Sequence, residues 1–559
     1  MSRAIPSKRI WVVASIVTAL HAVGSAGAQA QAPPAPPAPP AAVASAEGAD
    51  KVAGSASPAE EAWLQDEHGR QYRIEKLDKK KVSILKISPT DYRTSWGTVH
   101  ADREDENFLY YRVYREEERP AAPNVEEEKE KQAAAVRALL PPAPAEVDRL
   151  EGVDFGRGLP TTGQWRNGFE FADMNEDGFL DLVHGPARKG GRRPNIFLGN
   201  GKGDWRPWAA VSYPDQTYDY GDVSVGDFNG DHHLDMFLAA HLLGLQALLG
   251  DGKGHFTAAN EGLPWRIKSS DPLGFSSQQV QVVNWDSEKR PQVLALSEGP
   301  KLAISPSQPP AVVESLAGVR LYRNTSSDKK KVVWQWVNPK DKSTSLFGED
   351  LLPAPGRKSQ SFVVGSGNMG ARDLVFEGRA ADGWRQVDLP IPRLANIWSV
   401  APLRRAGLAT FDVVAAEMSF DAGLKLRLID LYRREKDGWV RKTLWHEEKK
   451  GQGPVRIATA DLDGNGLDDV VALGANGEVW VLLQNAGDQW SLEQSPELQG
   501  AEGCQGSAVR VQDLDADGRP EVAISWSGEA DPLLDPKACP GDGSLRVWKM
   551  KKRASTSTQ

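Results

Sequence analysis

The chain has 559 residues with 67 basic and 76 acidic side chains, a formal net charge of −9. That sign excludes a general electrostatic affinity for nucleic acid or an anionic membrane, and it suits cation binding. With 53 Gly, 38 Pro and 18 Trp, the composition favours short strands joined by tight turns and packed by large aromatics over a helical bundle.

Residues 1–30 read as a secretory signal: Arg3, Lys8 and Arg9 precede an apolar run from Ile10 to Val23, then small residues ending in Ala28-Gln29-Ala30. The run is shorter than the roughly 20 residues of a membrane-spanning helix, and no later stretch reaches that length. No cysteine follows the signal to carry a lipid anchor. The sequence therefore predicts an exported, soluble bacterial protein, secreted or periplasmic, with no membrane span after cleavage. Residues 31–60 are a Pro/Ala tract that buries little and reads as a disordered spacer. Residues 61–115 alternate apolar and polar side chains in short runs, which predicts a small β-rich region. Residues 116–149 read as a charged connector with a helix from Val125 to Leu140, stopped by Pro141-Pro142.

From 150 to 550 the chain repeats itself. Four nine-residue loops share oxygen-bearing side chains at positions 1, 3, 5 and 9. With the residue at position 7 included, they are Asp173, Asn175, Asp177, Phe179 and Asp181; Asp227, Asn229, Asp231, His233 and Asp235; Asp461, Asp463, Asn465, Leu467 and Asp469; and Asp513, Asp515, Asp517, Arg519 and Glu521. Three eroded copies are read at Asn284, Asp286, Glu288 and Gln292, at Gly365 to Asp373, and at Arg404 to Asp412. The seven starting points, 173, 227, 284, 365, 404, 461 and 513, have the mean spacing of a four-stranded blade. Gly-containing hairpins such as Gly199-Asn200-Gly201 and Gly250-Asp251-Gly252 recur after them. The expected fold is all-β, a seven-bladed β-propeller. Its last repeat ends before a fourth strand can form, so the strip Val153 to Pro160 is predicted to supply that strand and close the ring. Residues 551–559 read as a disordered tail.

Oxygens at positions 1, 3 and 5, a backbone carbonyl at 7 and a carboxylate at 9 suit a hard cation that takes six to eight oxygen ligands, which points to Ca²⁺. Without a cation, the crowded carboxylates raise one another's pKa. Glycine at position 6 (Gly178, Gly466, Gly518) permits the sharp turn, whereas the second loop has His232 there. A helix–loop–helix calcium site is excluded, because position 12 carries His184, Leu238, Ala472 or Ile524 in place of glutamate. Dockerin-like paired loops would lie about half as far apart. Solvated acidic turns are the plainer alternative for any one loop.

Residues 150 to 550 resemble the FG-GAP/VCBS repeat family, whose best-known propeller is the integrin α-subunit head. The resemblance rests on the four calcium-type loops; of the Phe-Gly and Gly-Ala-Pro elements only fragments such as His184-Gly185-Pro186 remain. It implies structural calcium and a monomeric binding module for a protein or carbohydrate ligand. A hydrolase or lyase with its site at the central channel is the alternative; no zinc-protease helix, nucleophile elbow or phosphate loop is present. Arg188, Arg192 and Arg193, beside Lys189, together with Tyr213, Tyr218, Tyr220 and Trp265, are placed on the face opposite the loops as a candidate ligand surface. Packing between blades is the plainer role for the aromatics, and solvation of their loop for the basic residues. Cys504 and Cys539 are the only cysteines, and export predicts a disulfide between them, with two buried thiols as the alternative.

Overall fold

The computed structural model describes residues between Trp63 and Arg553, apart from internal segments of which the longest are 115–124, 266–274, 338–349 and 529–538. The signal, the spacer and the end of the tail lie outside the described residues, as do Lys189, Arg192, Asp286 and Glu288. Two compact units divide between Ala135 and Val136. Among the described residues no helix is long and apolar enough to cross a membrane.

The N-terminal unit has a four-stranded and a three-stranded sheet, with Leu77, Tyr92, Ala101 and Leu109 as a small core. The helix runs Val125–Arg137 and stops short of the expected Leu140. The amides of Leu139 and Leu140 instead close a tighter turn on Val136 and Arg137, because Pro141 disfavours helical backbone at the residue before it.

The C-terminal unit is all-β. Among its described residues, seven sheets of four or five strands span 169–207, 223–258, 277–336, 350–388, 396–448, 454–493 and 505–552, with a separate hairpin at Leu302–Ser305 and Gln308–Val312 inside the third. The first strand of each sheet lies against the first strand of the next, and that of the seventh against that of the first. Polar side chains stitch these strands. Glu170 accepts from the Val225 amide at 2.8 Å and the Ser224 hydroxyl at 2.9 Å, and Ser224 Oγ accepts from the Val282 amide at 2.9 Å. Asp350 accepts from the Val400 amide at 2.9 Å, and Ser399 Oγ from the Ile457 amide at 3.1 Å. The second strands, such as Asp235–Ala240 and Asp469–Gly474, are buried along their whole length because sheets cover both faces. Each Val or Leu buried there contributes about 1.5–3 kcal/mol.

One register recurs in all seven sheets. The residue just before each loop pairs with the ninth residue after it: Ala172 with Asp181, Gly226 with Asp235, Val283 with Gln292, Leu403 with Asp412, Ala460 with Asp469, Gln512 with Glu521, and in the fourth sheet Pro353 with Phe362. This corrects the fourth copy. Gly365 to Asp373 connects the second and third strands, Gln360–Gly365 and Leu374–Arg379, so the equivalent loop begins at 354 and has Phe362 where the others have an acid or amide. A strand-like run behind an aspartate gave the wrong position.

The seventh sheet takes its fourth strand from the start of the unit, as the sequence predicts. That strand is Leu150–Asp154, pairing with Gly543–Lys552, while the strip from Phe155 to Pro160 adds single backbone bonds at its two ends. The connector contributes a strand that was not expected: Ala145–Val147 runs parallel to Gln489–Glu493.

Candidate metal centres

In every acidic loop the ninth residue is the latch. Asp181 takes the Met174 amide at 2.9 Å, Asp235 the Phe228 amide at 2.8 Å, Asp469 the Leu462 amide at 2.8 Å, and Glu521 the Leu514 amide at 2.7 Å. In the first three of these the other oxygen takes an amide from the end of the third strand or the residue just after it, that of Gly199, Gly250 or Gln484. All four side chains are fully buried. Burial pushes Asp181, Asp469 and Glu521 up to about 7 and Asp235 to about 8, against the pull of those amides. The eroded third copy shows the uncharged version: Gln292 accepts from the Trp285 amide at 2.8 Å and donates to the Arg290 carbonyl at 3.0 Å. There an amide keeps the latch and gives up the charge.

Position 1 gathers the turn. Asp173 takes the amides of Asp177 and Gly178, Asp227 those of Gly230, Asp231 and His232, Asp461 those of Asn465 and Gly466, and Asp513 that of Gly518. Position 5 in turn accepts from position 7, where Phe179, His233, Leu467 and Arg519 donate at 2.8–3.0 Å. Two residues of each loop have positive φ. Position 6 is Gly178, His232, Gly466 or Gly518; position 4 is Glu176, Gly230, Gly464 or Ala516, a second left-handed site that spacing alone does not reveal.

Among the described residues, two groups of three carboxylates bring ligand atoms within 4.8 Å of one another: Asp461, Asp463 and Asp469, and Asp513, Asp515 and Glu521. These are the loops with Asp at position 3. The first two loops have Asn175 and Asn229 there, whose amides donate to Asp177 and Asp231 at 2.9 and 2.8 Å. The donor set is all oxygen, partly buried and anionic, which fits a hard divalent cation and no soft metal.

Three further contacts, which loop spacing does not show, tie neighbouring loops together or fasten a loop to its own sheet. Arg404, at the start of the fifth loop, clasps the buried Asp468 of the sixth with its backbone amide at 2.7 Å and its guanidinium from 2.5 Å. His233 Nδ1 meets Glu176 across the first and second loops, and that contact raises its pKa. In the last loop Lys549 Nζ lies against Asp515, Asp517 and Glu521.

The basic and aromatic residues of the candidate ligand face are divided by the structure. Tyr218 is buried and donates to the Pro214 carbonyl at 3.1 Å, and Tyr213 stacks on Phe256 with centroids 5.3 Å apart, so both rings pack between the first and second sheets. Tyr220 stays half-buried between His241, at 4.7 Å, and the Arg188 guanidinium, at 5.7 Å. Arg193 is exposed, and Trp265 is half-buried beside Gly244. Cys504 and Cys539 form a disulfide in the seventh sheet's core cluster.

Residues 187–238 and 461–524 match the family model described as FG-GAP-like repeat. This chain carries FG-GAP-like repeats. The matched spans take in the second acidic loop and both of the last two, while the first, at 173–181, has the same register and latch outside them. No curated protein matches the chain. Among solved structures, a crystal structure described as BBS1N in complex with ARL6DN, soaked with lead, aligns over 73% of this chain and 99% of its own at 11% identity and a TM-score of 0.43. A likeness of that size bears on neither the fold nor a partner.

Proposed function

We propose that residues 150–553 form a seven-bladed, calcium-stabilised β-propeller that is exported and serves as a binding module for a protein or carbohydrate. The observation that carries the calcium assignment is the cluster of Asp461, Asp463 and Asp469. Three carboxylates converge within 4.8 Å, two of them buried, and Asp469 has only backbone amides as hydrogen-bond donors. Charge packed so closely away from water is stabilised by a bound cation and not by the loop alone. The loops at Asp173 and Asp227 repeat the same backbone scaffold with Asn at position 3 and Asp at position 5, the reverse of the loop at Asp461; the loop at Asp513 differs by the lysine at its centre.

Seven sheets with first strands touching in a closed sequence support the propeller, and the disulfide supports an oxidising compartment. Calcium is structural in this reading: its ligands begin the second strand, so the ion fastens first, second and third strands together. Recognition is assigned to the connections at the other end of the strands, where Arg188 and His241 flank Tyr220 and Arg193 is exposed.

Calorimetric titration of chelator-treated protein with Ca²⁺ tests the metal assignment: saturable uptake supports it, and no uptake refutes it. For the ligand surface, Arg188→Ser with Arg193→Ser is compared with the parent against arrayed glycans and envelope proteins. Loss of a parent signal supports that face, and unchanged binding rejects it.

A further inference from the structure

We infer that in the loop Asp513 to Glu521 the Lys549 ammonium takes the place of the divalent ion, so this repeat is fastened by an internal cation. The inference rests on the calcium reading of the sister loops. Lys549 is the direct cross-strand partner of Glu521. Its Nζ hydrogen-bonds Asp515, lies 2.6 Å from Asp517 Oδ2 and 3.5 Å from Glu521 Oε1, and is largely shielded from water. Those are positions 3, 5 and 9, the side chains that would converge on a metal.

The same register step in the sister loops carries no charge. Pairing of Leu182 with Phe197, Met236 with Leu248 and Val470 with Leu482 puts Leu198, Leu249 and Leu483 opposite Asp181, Asp235 and Asp469. The loop with the lysine is also the one with acids at positions 1, 3, 5 and 9; each of the others has three acids and one asparagine there. An ammonium donates three hydrogen bonds in tetrahedral directions and can serve three carboxylates at once. A divalent ion drawing on the same oxygens would stand within a few ångströms of that ammonium, where like charges repel strongly. Lys549 also lies over the Phe155 ring, 5.8 Å from its centroid, so the strip that closes the seventh sheet helps to hold it in place.

The test counts bound Ca²⁺ per chain by equilibrium dialysis and elemental analysis. The parent is compared with Asp515→Asn, Asp461→Asn, Lys549→Leu and the double variant Lys549→Leu/Asp515→Asn. The expected result is an unchanged count for Asp515→Asn, a gain of one ion for Lys549→Leu, and loss of that gain in the double variant. A count that drops by one in Asp515→Asn, or no gain in Lys549→Leu, overturns the inference. Asp461→Asn reads the calcium assignment separately: it should lower the count by one, and if it does not, that assignment fails whatever Lys549 does. Thermal unfolding in chelator supplies a metal-free readout. Lys549→Leu should melt below the parent and recover in Ca²⁺, whereas recovery in sodium chloride alone would reduce the lysine to ordinary charge screening and overturn its role. Should Lys549→Leu fail to fold, the Asp515→Asn count on the otherwise native chain still decides.

Discussion

Replacing Asp469 by Asn separates the two roles of the ninth residue. The carboxylate accepts the Leu462 amide with one oxygen and the Gln484 amide with the other, both at 2.8 Å. Asn keeps one acceptor and turns an NH₂ toward the second amide, so one buried N–H loses its partner at a cost of about 1–3 kcal/mol. Gln292 escapes this cost because its Nε2 finds the Arg290 carbonyl. In chelator, Asp469→Asn should therefore lower the unfolding free energy by about 1–3 kcal/mol, read from urea denaturation followed by tryptophan fluorescence. In Ca²⁺ the gap should widen, because the parent gains binding energy at this loop and the variant loses a ligand. Equal destabilisation with and without Ca²⁺ would show that Asp469 is a backbone latch only and would refute its role as a metal ligand.

Further outcomes follow from other residues. His232 has φ 80° where three sister loops have glycine, so His232→Gly should stabilise the fold by about 1 kcal/mol in a denaturant midpoint comparison. Arg404→Ala removes the guanidinium clasp on buried Asp468 but leaves the backbone amide bond, and should cost about 1.5–3 kcal/mol in the same assay. Asp222 is buried, and desolvation pushes it up to about 7, with Glu170 adding to the rise and Arg510 opposing it. An acid whose folded pKa exceeds its unfolded value binds more protons when folded, so its contribution falls as pH rises from about 4 to 7. Asp222→Asn should flatten that part of the stability profile, and a profile of unchanged slope would contradict the assignment. The disulfide spans 35 residues of chain, and Cys504→Ser/Cys539→Ser should lower stability by about 3–4 kcal/mol.

The acidic loops were legible because a metal-type loop fixes both residue chemistry and spacing, and its ninth residue must start a buried strand. The same rule explains the misplaced fourth copy. Where Phe362 replaces the acid, only strand pairing marks the loop, and pairing depends on residues distant in sequence. The ring-closing strand was visible in outline, since the last repeat lacked one; its register was not, because the Phe-Gly strip beside Leu150–Asp154 resembles a hairpin end. Ala145–Val147 was hidden directly behind Pro141, Pro142 and Pro144, which argue against a strand except at an edge, and an edge is where it lies. Lys549 was beyond reach of loop spacing, and although spacing marks Arg404 as the start of a copy it does not show the clasp on Asp468, because each residue acts across strands or sheets. Lys549 had one trace in the sequence, a lysine where the third strands behind the other three acidic loops have Leu198, Leu249 and Leu483. Tyr213 and Tyr218 show the limit on the ligand face: aromatic residues in connections are as readily used for packing as for recognition, and burial decides.

Anomalous diffraction from crystals grown in Ca²⁺, with data collected where calcium scatters anomalously, locates the ions directly. A peak enclosed by Asp461, Asp463 and Asp469, with none beside Lys549, is the predicted result. A map without a peak in any of the four acidic loops would contradict the account.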